Sequence, residues 1–415
     1  MSNVRKNLAI VCQNRKLPFV FEEAEKLGID ITFFYNSEES APLSLPAVKY
    51  AVALPLFSNE VEAFKIMEEQ YKQHPFDGIL TLFEPALNFA SKVAKKLKLP
   101  YLPESVIENC RNKNLTRRIM LENRLNTPTF IELSEEEIPD EAALEFPLVV
   151  KPTNGFSSQG IIRVDDYESL VKAVKKVWEI NHTELGKFVY GKGGVILESF
   201  IDGPEFAIET LSSQGVVTVL SVGDKGDCKG PYFEEGIYIS PANIDNKLHK
   251  DICDEVKRVV LALGITEGPA HVELRIDSNR KPYVIEVAPR IGGSGISHFI
   301  VKASTGINFL QLVICQALNM AKPDLPENVT SKHTAGNYII PLQGDGIFKE
   351  IKGINEANNM EETQRIFQFI EPGTKILPYP HFSGYPGFIL TQHQSHQDCV
   401  EFHEYLDKNL TVVYQ

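Results

Sequence analysis

The sequence of 415 residues predicts an α/β protein that opens with a doubly wound parallel sheet. Up to about residue 102, short apolar segments alternate with amphipathic ones, which is the order of a parallel sheet with helical connections. Further along, residues 271–277 and 283–287 alternate apolar and polar side chains on either side of a turn, which predicts two neighbouring strands. The length indicates roughly two to four domains or subdomains.

In the first domain, we expect strands at residues 8–12, 31–35 and 78–82 and helices at residues 19–27 and 85–97. A glycine-rich dinucleotide fingerprint is absent after the first strand, where the sequence reads Gln13-Asn14-Arg15-Lys16. Binding of a nicotinamide dinucleotide in the usual way is therefore disfavoured.

The central part of the chain changes character. Residues 114–123 are expected to form a helix, and residues 146–151 a strand that ends at Lys151. Strong periodic signals follow, and they predict a strand at 161–164, a helix at 166–180, consecutive antiparallel strands at 195–201, 205–211 and 216–222, a strand at 237–240, a helix at 250–264, and strands at 333–340 and 387–390.

The composition limits the class of protein. Hydrophobic residues make up 43% of the chain and charged residues 23%, as in soluble globular proteins. The formal charge of −13 argues against a nucleic-acid binder, because a phosphate backbone requires a basic surface. We also find no segment apolar enough to span a membrane and no signal peptide. Six cysteines without a CxxC pair indicate a reduced, cytoplasmic location.

The two predicted strands around residue 280 carry the most informative residues. Glu273 and Glu286 lie on neighbouring strands, and their oxygens suit Mg²⁺, which takes further ligands from water and nucleotide phosphates. Arg290 adds a planar positive group for a phosphate or a carboxylate. The pattern indicates metal-assisted phosphate chemistry, with a pair of solvated carboxylates as the plain alternative. His271 is expected to be a structural hydrogen-bonding residue rather than a ligand.

A second candidate site lies around Lys151, which ends an apolar strand just before a glycine-containing loop. This loop, residues 153–160, can offer backbone N–H groups and the hydroxyls of Ser157 and Ser158 to phosphates. A plain hairpin between two strands is equally compatible with the loop composition.

Several short motifs occur in one order along the chain: Asn112-Lys113, Val150-Lys151-Pro152 with its loop, the segment from Glu198 to Glu205, Gly223-Asp224-Lys225, and the set Glu273, Glu286 and Arg290. This order resembles the ATP-grasp superfamily, and within it the carboxylate–amine ligases related to the L-amino-acid ligases. The resemblance covers nearly the whole chain. It implies an ATP-grasp fold with an N-terminal α/β domain at 1–110, an ATP-grasp domain at 111–330 with an α+β lid at about 130–200, and a C-terminal α/β part of the large domain at 331–415.

The resemblance also implies an activity. ATP-grasp ligases transfer the γ-phosphate of ATP to a carboxylate, and an amine then attacks the acylphosphate. The implied cofactors are ATP and Mg²⁺, or Mn²⁺ in its place, with two ions. The implied partners are small-molecule carboxylate and amine substrates, with an amino acid expected among them, and a homodimer follows only from the base rate.

Roles for nucleotide-binding residues come from the same resemblance. Lys113 and Lys151 would hold the α- and β-phosphates, and the loop with Ser157, Ser158 and Gly160 would cover the phosphates as a lid. The remaining positions would bind the nucleoside or close over it: Glu198, Ser199 and Ile201 at the adenine, Glu205 at the ribose hydroxyls, and Lys225 as a mobile third lysine.

On the catalytic side, Glu273 and Glu286 would bind metal, and Arg290 would hold the transferring phosphoryl group. The family usually has an asparagine where this sequence has Ala288, so water or phosphate oxygens would have to replace the amide oxygen at the second ion. The implied substrate-side residues are Glu84, Gly292, Gly293 and Ser294, with Glu234 or Glu235 facing an ammonium group.

Two other functions stay open from the sequence. One is an ATP-grasp ligase that activates bicarbonate or formate in purine or carboxylation metabolism. The other is a non-catalytic nucleotide-binding regulator, which the joint presence of Glu273, Glu286 and Arg290 disfavours.

Overall fold

The computed structural model describes residues 5–42, 44–133, 138–183, 186, 188, 193–226, 228, 233, 236–326, 328–377 and 385–415. The first hundred residues form a parallel sheet with helices on its faces, as predicted. Its strands are β1 (Asn7–Val11), β2 (Asp30–Asn36), β3 (Val48–Leu54) and β4 (Gly78–Leu80), in the order β3-β2-β1-β4. Its helices are α1 (Phe19–Lys26), α2 (Glu60–Gln73) and α3 (Leu87–Leu97). Strand β3 and helix α2 were not predicted from the sequence, because β3 has few buried positions and α2 buries only Ala63 and Met67.

Three helices and the four strands of a small sheet follow. These are α4 (Glu104–Arg111), α5 (Lys113–Glu122), β5 (Phe130–Leu133), β6 (Leu148–Pro152), β7 (Ile162–Val164), α6 (Tyr167–His182) and β8 (Val195–Ser199). The four strands form a sheet in the order β5-β8-β6-β7, which we call the lid sheet. Helix α6 begins at a capping box of Asp166 and Ser169 and packs Leu170, Val174 and Val177 into the lid core.

A larger sheet occupies the second half of the chain. Its first members are β9 (Glu205–Ser213), β10 (Val216–Asp224), β11 (Ile237–Ser240), β12 (Gly268–Ile276) and β13 (Pro282–Ala288), and helix α7 (Asn246–Ala262) packs against them. The prediction of three consecutive antiparallel strands is wrong for the first of them. Strand β8 pairs with β5 and β6 in the lid sheet, and only β9 and β10 pair with each other. The chain passes from the lid sheet to the large sheet between residues 199 and 205. Local sequence patterns predict a strand but do not tell which sheet it joins.

The C-terminal part extends the same large sheet. Its elements are α8 (Val301–Thr305), α9 (Phe309–Ala317), β14 (Thr334–Ile339), β15 (Gly346–Lys352), α10 (Ile354–Asn358), β16 (Thr363–Gln368), β17 (Lys375–Ile376), β18 (Gly387–His393), α11 (His396–Asn409) and β19 (Thr411–Tyr414). The large sheet runs β13-β12-β9-β10-β11-β14-β18-β16, and β17, β15 and β19 form a small separate sheet. No helix among the described residues is long and apolar enough to cross a membrane.

Helix α11 buries an imidazole that the sequence analysis did not single out. His403 packs its ring edge-on against Tyr338, with centroids 5.5 Å apart, and its Nε2 lies 3.8 Å from Cys399 Sγ. Burial, together with His393 and His396 nearby, lowers the pKa of His403 from 6.5 to about 3. The ring is therefore neutral in the folded protein at neutral pH.

We predict that acid weakens the fold partly through His403. The pKa of this residue is lower in the folded state than in the unfolded state, so the unfolded state binds the extra proton first as the pH falls below 6.5. Stability from this group should be complete above pH 6.5 and should decrease by on the order of 2 kcal/mol toward pH 4. Urea unfolding at pH 7 and pH 4.5 should show a smaller pH-dependent loss in His403→Gln than in the wild-type protein. An equal loss in both proteins would contradict this assignment.

Candidate active site

Two carboxylates face each other across the strands β12 and β13, as the sequence predicts. Glu273 and Glu286 are register partners in the antiparallel pair. The register shifts immediately after them, because β13 carries one extra residue at Ile285. The side chain of Ile285 lines a cleft between the lid sheet and the large sheet. The bulge thus turns this part of β13 toward the cleft.

Each of the two carboxylates has a lysine beside it. Lys113 Nζ lies 3.2 Å from Glu286 Oε2, and Lys225 Nζ lies 2.8 Å from Glu273 Oε1. Burial alone would raise the pKa of Glu273, but Lys225 and His271 outweigh burial and hold it well below its usual range. Glu273 is therefore ionised, as a ligand of a hard cation must be.

The predicted phosphate loop lies close to Lys113. The backbone N–H of Lys113 donates to the carbonyl of Thr153 at 3.0 Å, which joins the start of α5 to the beginning of this loop. Ser157 and Ser158 both adopt a left-handed backbone, with φ of 53°, as does Gly160 with φ of 71°. Ser158 lines the cleft, whereas the side chain of Ser157 is exposed. The loop is a compact, curved turn of the kind that can surround an anion.

Glu198 lies at the centre of a buried ion cluster. Its Oε1 accepts from Arg117 Nε and its Oε2 from Lys151 Nζ, both at 2.7 Å. Burial would raise the pKa of this carboxyl, but the two cations lower it to about 2. Glu198 thus holds Lys151 at the cleft, and the adenine-supporting role that the resemblance implied stays a prediction.

Arg117 was missed by the sequence analysis, and it ties the lid to the large sheet. Its guanidinium is fully buried and donates to the carbonyls of Val284 at 3.3 Å and Ile285 at 2.6 Å. The bulge in β13 brings these two successive carbonyls within reach of one side chain. In the sequence, Arg117 is one residue of the pair Arg117-Arg118 on a polar helix, so only the tertiary contacts distinguish it.

A second ion cluster surrounds the predicted ribose residue, Glu205. Lys225 Nζ lies 2.7 Å from Glu205 Oε1, and Arg275 Nη1 lies 2.9 Å from Glu205 Oε2. Arg275, which was also missed, donates to the carbonyls of Ile201 and Gly203 and so holds the connection from the lid to the large sheet. Ile201 lies beside the cleft, and its carbonyl already accepts from Arg275.

Ser199, predicted to read the adenine edge, is also a cleft residue. Its backbone N–H donates to the carbonyl of Thr129 at 2.9 Å, and its hydroxyl accepts from Thr129 N–H at 3.1 Å. The backbone N–H of Ser199 is therefore already bonded within the lid. An adenine edge would have to bond other backbone groups between residues 199 and 205.

Residues from the N-terminal domain reach the same site. Arg290 Nη2 donates to Glu84 Oε2 at 2.6 Å, although the two residues are far apart in sequence. Glu84 lies in a 3₁₀ turn just before α3, beyond the carboxyl end of β4. The structure thus brings together the predicted phosphoryl-binding arginine and the predicted substrate-side carboxylate.

The glycine loop after Arg290 is fixed by buried partners. Gly292 N–H donates to Glu209 Oε2 at 3.2 Å, and the carbonyl of Ser294 accepts from Asn337. A Cβ atom added at Gly293 would meet no neighbour within 4 Å, so this position is open. The loop leads into a π-helical turn at Ile296–Ile300. Glu234 and Glu235 lie outside the described residues.

Four phenylalanines, which we call the aromatic cluster, connect the lid with the N-terminal domain. They are Phe57, Phe83, Phe156 and Phe188, with ring centroids 5.0 to 6.1 Å apart. Phe156 belongs to the predicted phosphate loop, and Phe83 directly precedes Glu84. The cluster therefore holds the loop against the substrate side of the site.

The residues at the cleft suit a magnesium nucleotide. Glu273 and Glu286, which are register partners, offer carboxylate oxygens, the ligand atoms that Mg²⁺ prefers. Lys113 and Lys225 lie beside these carboxylates, and Lys151 lies at the start of the adjoining loop. Apolar side chains line the wall between the two sheets, as a base and a ribose require: Pro128, Val149, Ile161, Phe200 and Ile285. Within the described ranges, no three His, Cys, Asp or Glu side chains are arranged to hold a metal ion.

Comparisons with known proteins agree with this geometry. Family models match an ATP-grasp N-terminal domain at residues 21–101, an ATP-grasp domain at residues 144–298 and an L-amino acid ligase C-terminal domain at residues 338–415. The crystal structure of an L-amino acid ligase from Bacillus licheniformis is 54% identical, with 99% of each chain covered and a TM-score of 0.93. The chain belongs to the L-amino acid ligases.

More distant relatives match this ligase over only part of their length. Alanine–anticapsin ligase of Bacillus subtilis is 26% identical over 331 residues, or 72% of this chain and 69% of that protein. Protein y4rH of Sinorhizobium fredii is 24% identical over 329 residues, and the chain spans 64% of its length. The ATP-grasp fold predicted from the motif order is confirmed. L-Amino acid ligases of this fold are ATP-dependent enzymes that form carbon–nitrogen bonds, and ATP-grasp ligases use ATP with a divalent metal ion.

We predict that Arg117→Met destabilises this ligase by about 3–5 kcal/mol, because it leaves the buried Glu198 short of one cation. The neighbouring Arg118→Met is the matched control. Arg118 pairs with Glu132 at the surface, and its loss should change stability by less than about 1 kcal/mol. Urea unfolding of both variants measures the difference.

The double variant Arg117→Met/Glu198→Gln tests the cause. Glu198 keeps Lys151 as its partner in Arg117→Met, whereas the double variant leaves the buried ammonium of Lys151 without a carboxylate, so it should be less stable than Arg117→Met alone. A double variant at least as stable as Arg117→Met would show that packing of the arginine side chain, rather than the charges of the cluster, is what matters.

Proposed function

We propose that this L-amino acid ligase joins the carboxylate of one amino acid to the amine of a second amino acid, with ATP and Mg²⁺, through an acylphosphate. The observation that carries the proposal is that Glu273 and Glu286 face each other beside Lys113 and Lys225, while Arg290, four residues beyond Glu286 in the chain, is bonded to Glu84. Such a site can neutralise a nucleotide phosphate and a substrate carboxylate at once. The names of two relatives, an L-amino acid ligase and alanine–anticapsin ligase, support the amino-acid class of substrate.

The first task of the site is to bring two anions together. A carboxylate and the γ-phosphate of ATP repel each other, so the dominant requirement is positive charge placed in advance. Lys113 and Lys151 are held at the cleft by Glu286 and Glu198, where the α- and β-phosphates would lie. Mg²⁺, when bound by Glu273 and Glu286, supplies further charge neutralisation at the phosphate oxygens.

Arg290 would bind the γ-phosphate as it is transferred, at the boundary between nucleotide and acid substrate. One of its Nη atoms contacts Glu84, which fixes the direction of the guanidinium. The open backbone at Gly293 and the turn at Ser294 leave room for the acid substrate next to it. Glu84 and Arg290 would then face the ammonium and carboxylate ends of one amino acid.

The second task is to exclude water from the acylphosphate. The loop of residues 153–160 is held by Phe156 in the aromatic cluster, so it can cover the phosphates while the amine enters from the substrate side. Attack by the amine expels phosphate and forms the amide bond, and ADP is the other product. Two metal ions, a homodimer, a cytoplasmic location and the division of the chain at residues 110 and 330 remain predictions.

The proposal predicts that Glu286→Gln abolishes turnover while the fold stays intact. The variant keeps the size of the side chain but loses a charged metal ligand. Phosphate release should be measured with ATP and Mg²⁺ across pairs of amino acids and pairs of a simple acid with an amine. In the wild-type protein, release should require both an acid and an amine.

Other results of this assay would exclude the proposal. Near-normal turnover by Glu286→Gln would show that its carboxylate is not a required ligand. Release with bicarbonate or formate in place of the amino acid would identify a carboxylating or formyl-activating ligase. ATP binding without phosphate release across all pairs would instead favour a nucleotide-binding regulator.

The aromatic cluster gives a separate prediction about coupling. Phe156→Ala should loosen the phosphate loop, admit water to the acylphosphate and raise phosphate release in the absence of an amine severalfold. The ratio of amide formed to ATP consumed should fall accordingly. Phe130→Ala, which changes a lid phenylalanine on β5, is the control and should leave the ratio unchanged. Equal ratios in the two variants would contradict a water-excluding role for the cluster.

A further inference from the structure

A fully buried carboxylate lies beside the metal ligands, and the proposed reaction does not use it. Glu209 is 0% exposed on strand β9. Its Oε1 accepts from His271 Nδ1, and its Oε2 accepts from Gly292 N–H and Ser297 Oγ. A buried carboxylate without such partners would strongly destabilise the fold, so the bonds from His271, Gly292 and Ser297 are what allow Glu209 to be buried.

Sheet register explains why these groups meet. Glu209 and His271 are partners in the pairing of β9 with β12. Glu273 is two residues beyond His271 on the same strand, so both side chains project from the same face of the sheet. His271 Nε2 lies 3.5 Å from Glu273 Oε1, and the imidazole therefore stands between one buried carboxylate and one metal ligand.

The other side of Glu209 faces the glycine loop. A Cβ atom at Gly292 would lie 2.5 Å from Glu209 Oε1 and 2.7 Å from His271 Nδ1, closer than side chains can approach. The absence of a side chain at this position thus allows the loop backbone to rest directly on the Glu209–His271 pair. Ser297 lies in the π-helical turn after the loop, and its hydroxyl accepts from Gly292 N–H at 2.6 Å.

We infer that Glu209 and His271 are positioning residues that couple metal ligation to acid-substrate placement in this ligase. Through His271, Glu209 orients the carboxylate of Glu273. Through Gly292 and Ser297, it sets the position of the glycine loop. One buried carboxylate therefore fixes the distance between the metal site and the acid substrate. This inference rests on the proposed function, because it takes Glu273 as the metal ligand and the loop as the substrate-binding segment.

The two branches of the network can be separated by substitution. His271→Asn keeps a donor at the place of Nδ1, so the bond to Glu209 persists, but it lacks the nitrogen that faces Glu273. Ser297→Ala removes a contact on the loop branch and leaves His271 unchanged. Glu209→Gln disturbs both branches, because one amide oxygen cannot replace two carboxylate oxygens as acceptors.

Two measurements report on the branches separately. Binding of Mn²⁺ together with ADP, followed by the electron paramagnetic resonance signal of the free ion, reports on metal ligation without turnover. The KM of the acid substrate at saturating metal and nucleotide reports on the loop. Partners of metal ligands typically change metal affinity by about 10–100-fold when they are altered.

We expect His271→Asn to weaken Mn²⁺ binding by about 10–100-fold and to leave the KM of the acid within about twofold. Ser297→Ala should show the reverse, with a raised KM and Mn²⁺ binding near that of the wild-type protein. Glu209→Gln should show both defects. Glu255→Gln, which alters a buried carboxylate bonded to Asn126 N–H away from the site, is the matched control and should show neither.

Several results would overturn the inference. It fails if His271→Asn and Glu209→Gln bind Mn²⁺ as Glu255→Gln does, or if His271→Asn and Ser297→Ala change both quantities equally. Thermal unfolding of each variant establishes that it is folded at the assay temperature, and His271→Asn and Ser297→Ala still test the two branches if Glu209→Gln does not fold. Failure of the proposed function is distinguishable, because Glu286→Gln would then keep its turnover whatever the other variants do.

Discussion

The pairing of Glu273 with Glu286 across β12 and β13 is the constraint on which the rest of the site depends. Two carboxylates held this close repel each other and are stable only where positive charge surrounds them. Lys113 comes from the helix before the lid, Lys225 from the end of β10, and His271 from the same strand as Glu273. Elements distant in sequence thus converge on one pair of like charges.

The same logic connects the lid to the large sheet. Glu198 on β8 draws Lys151 and Arg117 together, and Arg117 then donates to carbonyls of β13. Glu205 on β9 draws Lys225 and Arg275 together, and Arg275 holds the connection between the two sheets. Each of these buried carboxylates holds two cations, so a nucleotide with its cation would enter a site whose positive groups are already in position.

The sequence located most of this site, but not all of its contacts. Elements such as α6 and β9 were predicted to within a few residues, because the apolar residues of α6 follow the helix period and those of β9 lie in a short segment of strand length. The residues that were missed, Arg117, Arg275 and Glu209, are charged residues within ordinary amphipathic patterns. Their importance comes from burial against distant partners, which a local pattern does not record. The assignment of β8 to the wrong sheet has the same origin.

By itself, the sequence determined the order of the functional motifs, the two carboxylates on neighbouring strands and the parallel N-terminal sheet, because each depends on spacing along the chain. Only the tertiary structure decided that Glu84 meets Arg290, that Glu198 holds Lys151 and that the phosphate loop rests on phenylalanines of another domain. These contacts join segments up to 206 positions apart, and they form because buried charges and aromatic rings must find partners wherever the fold places them.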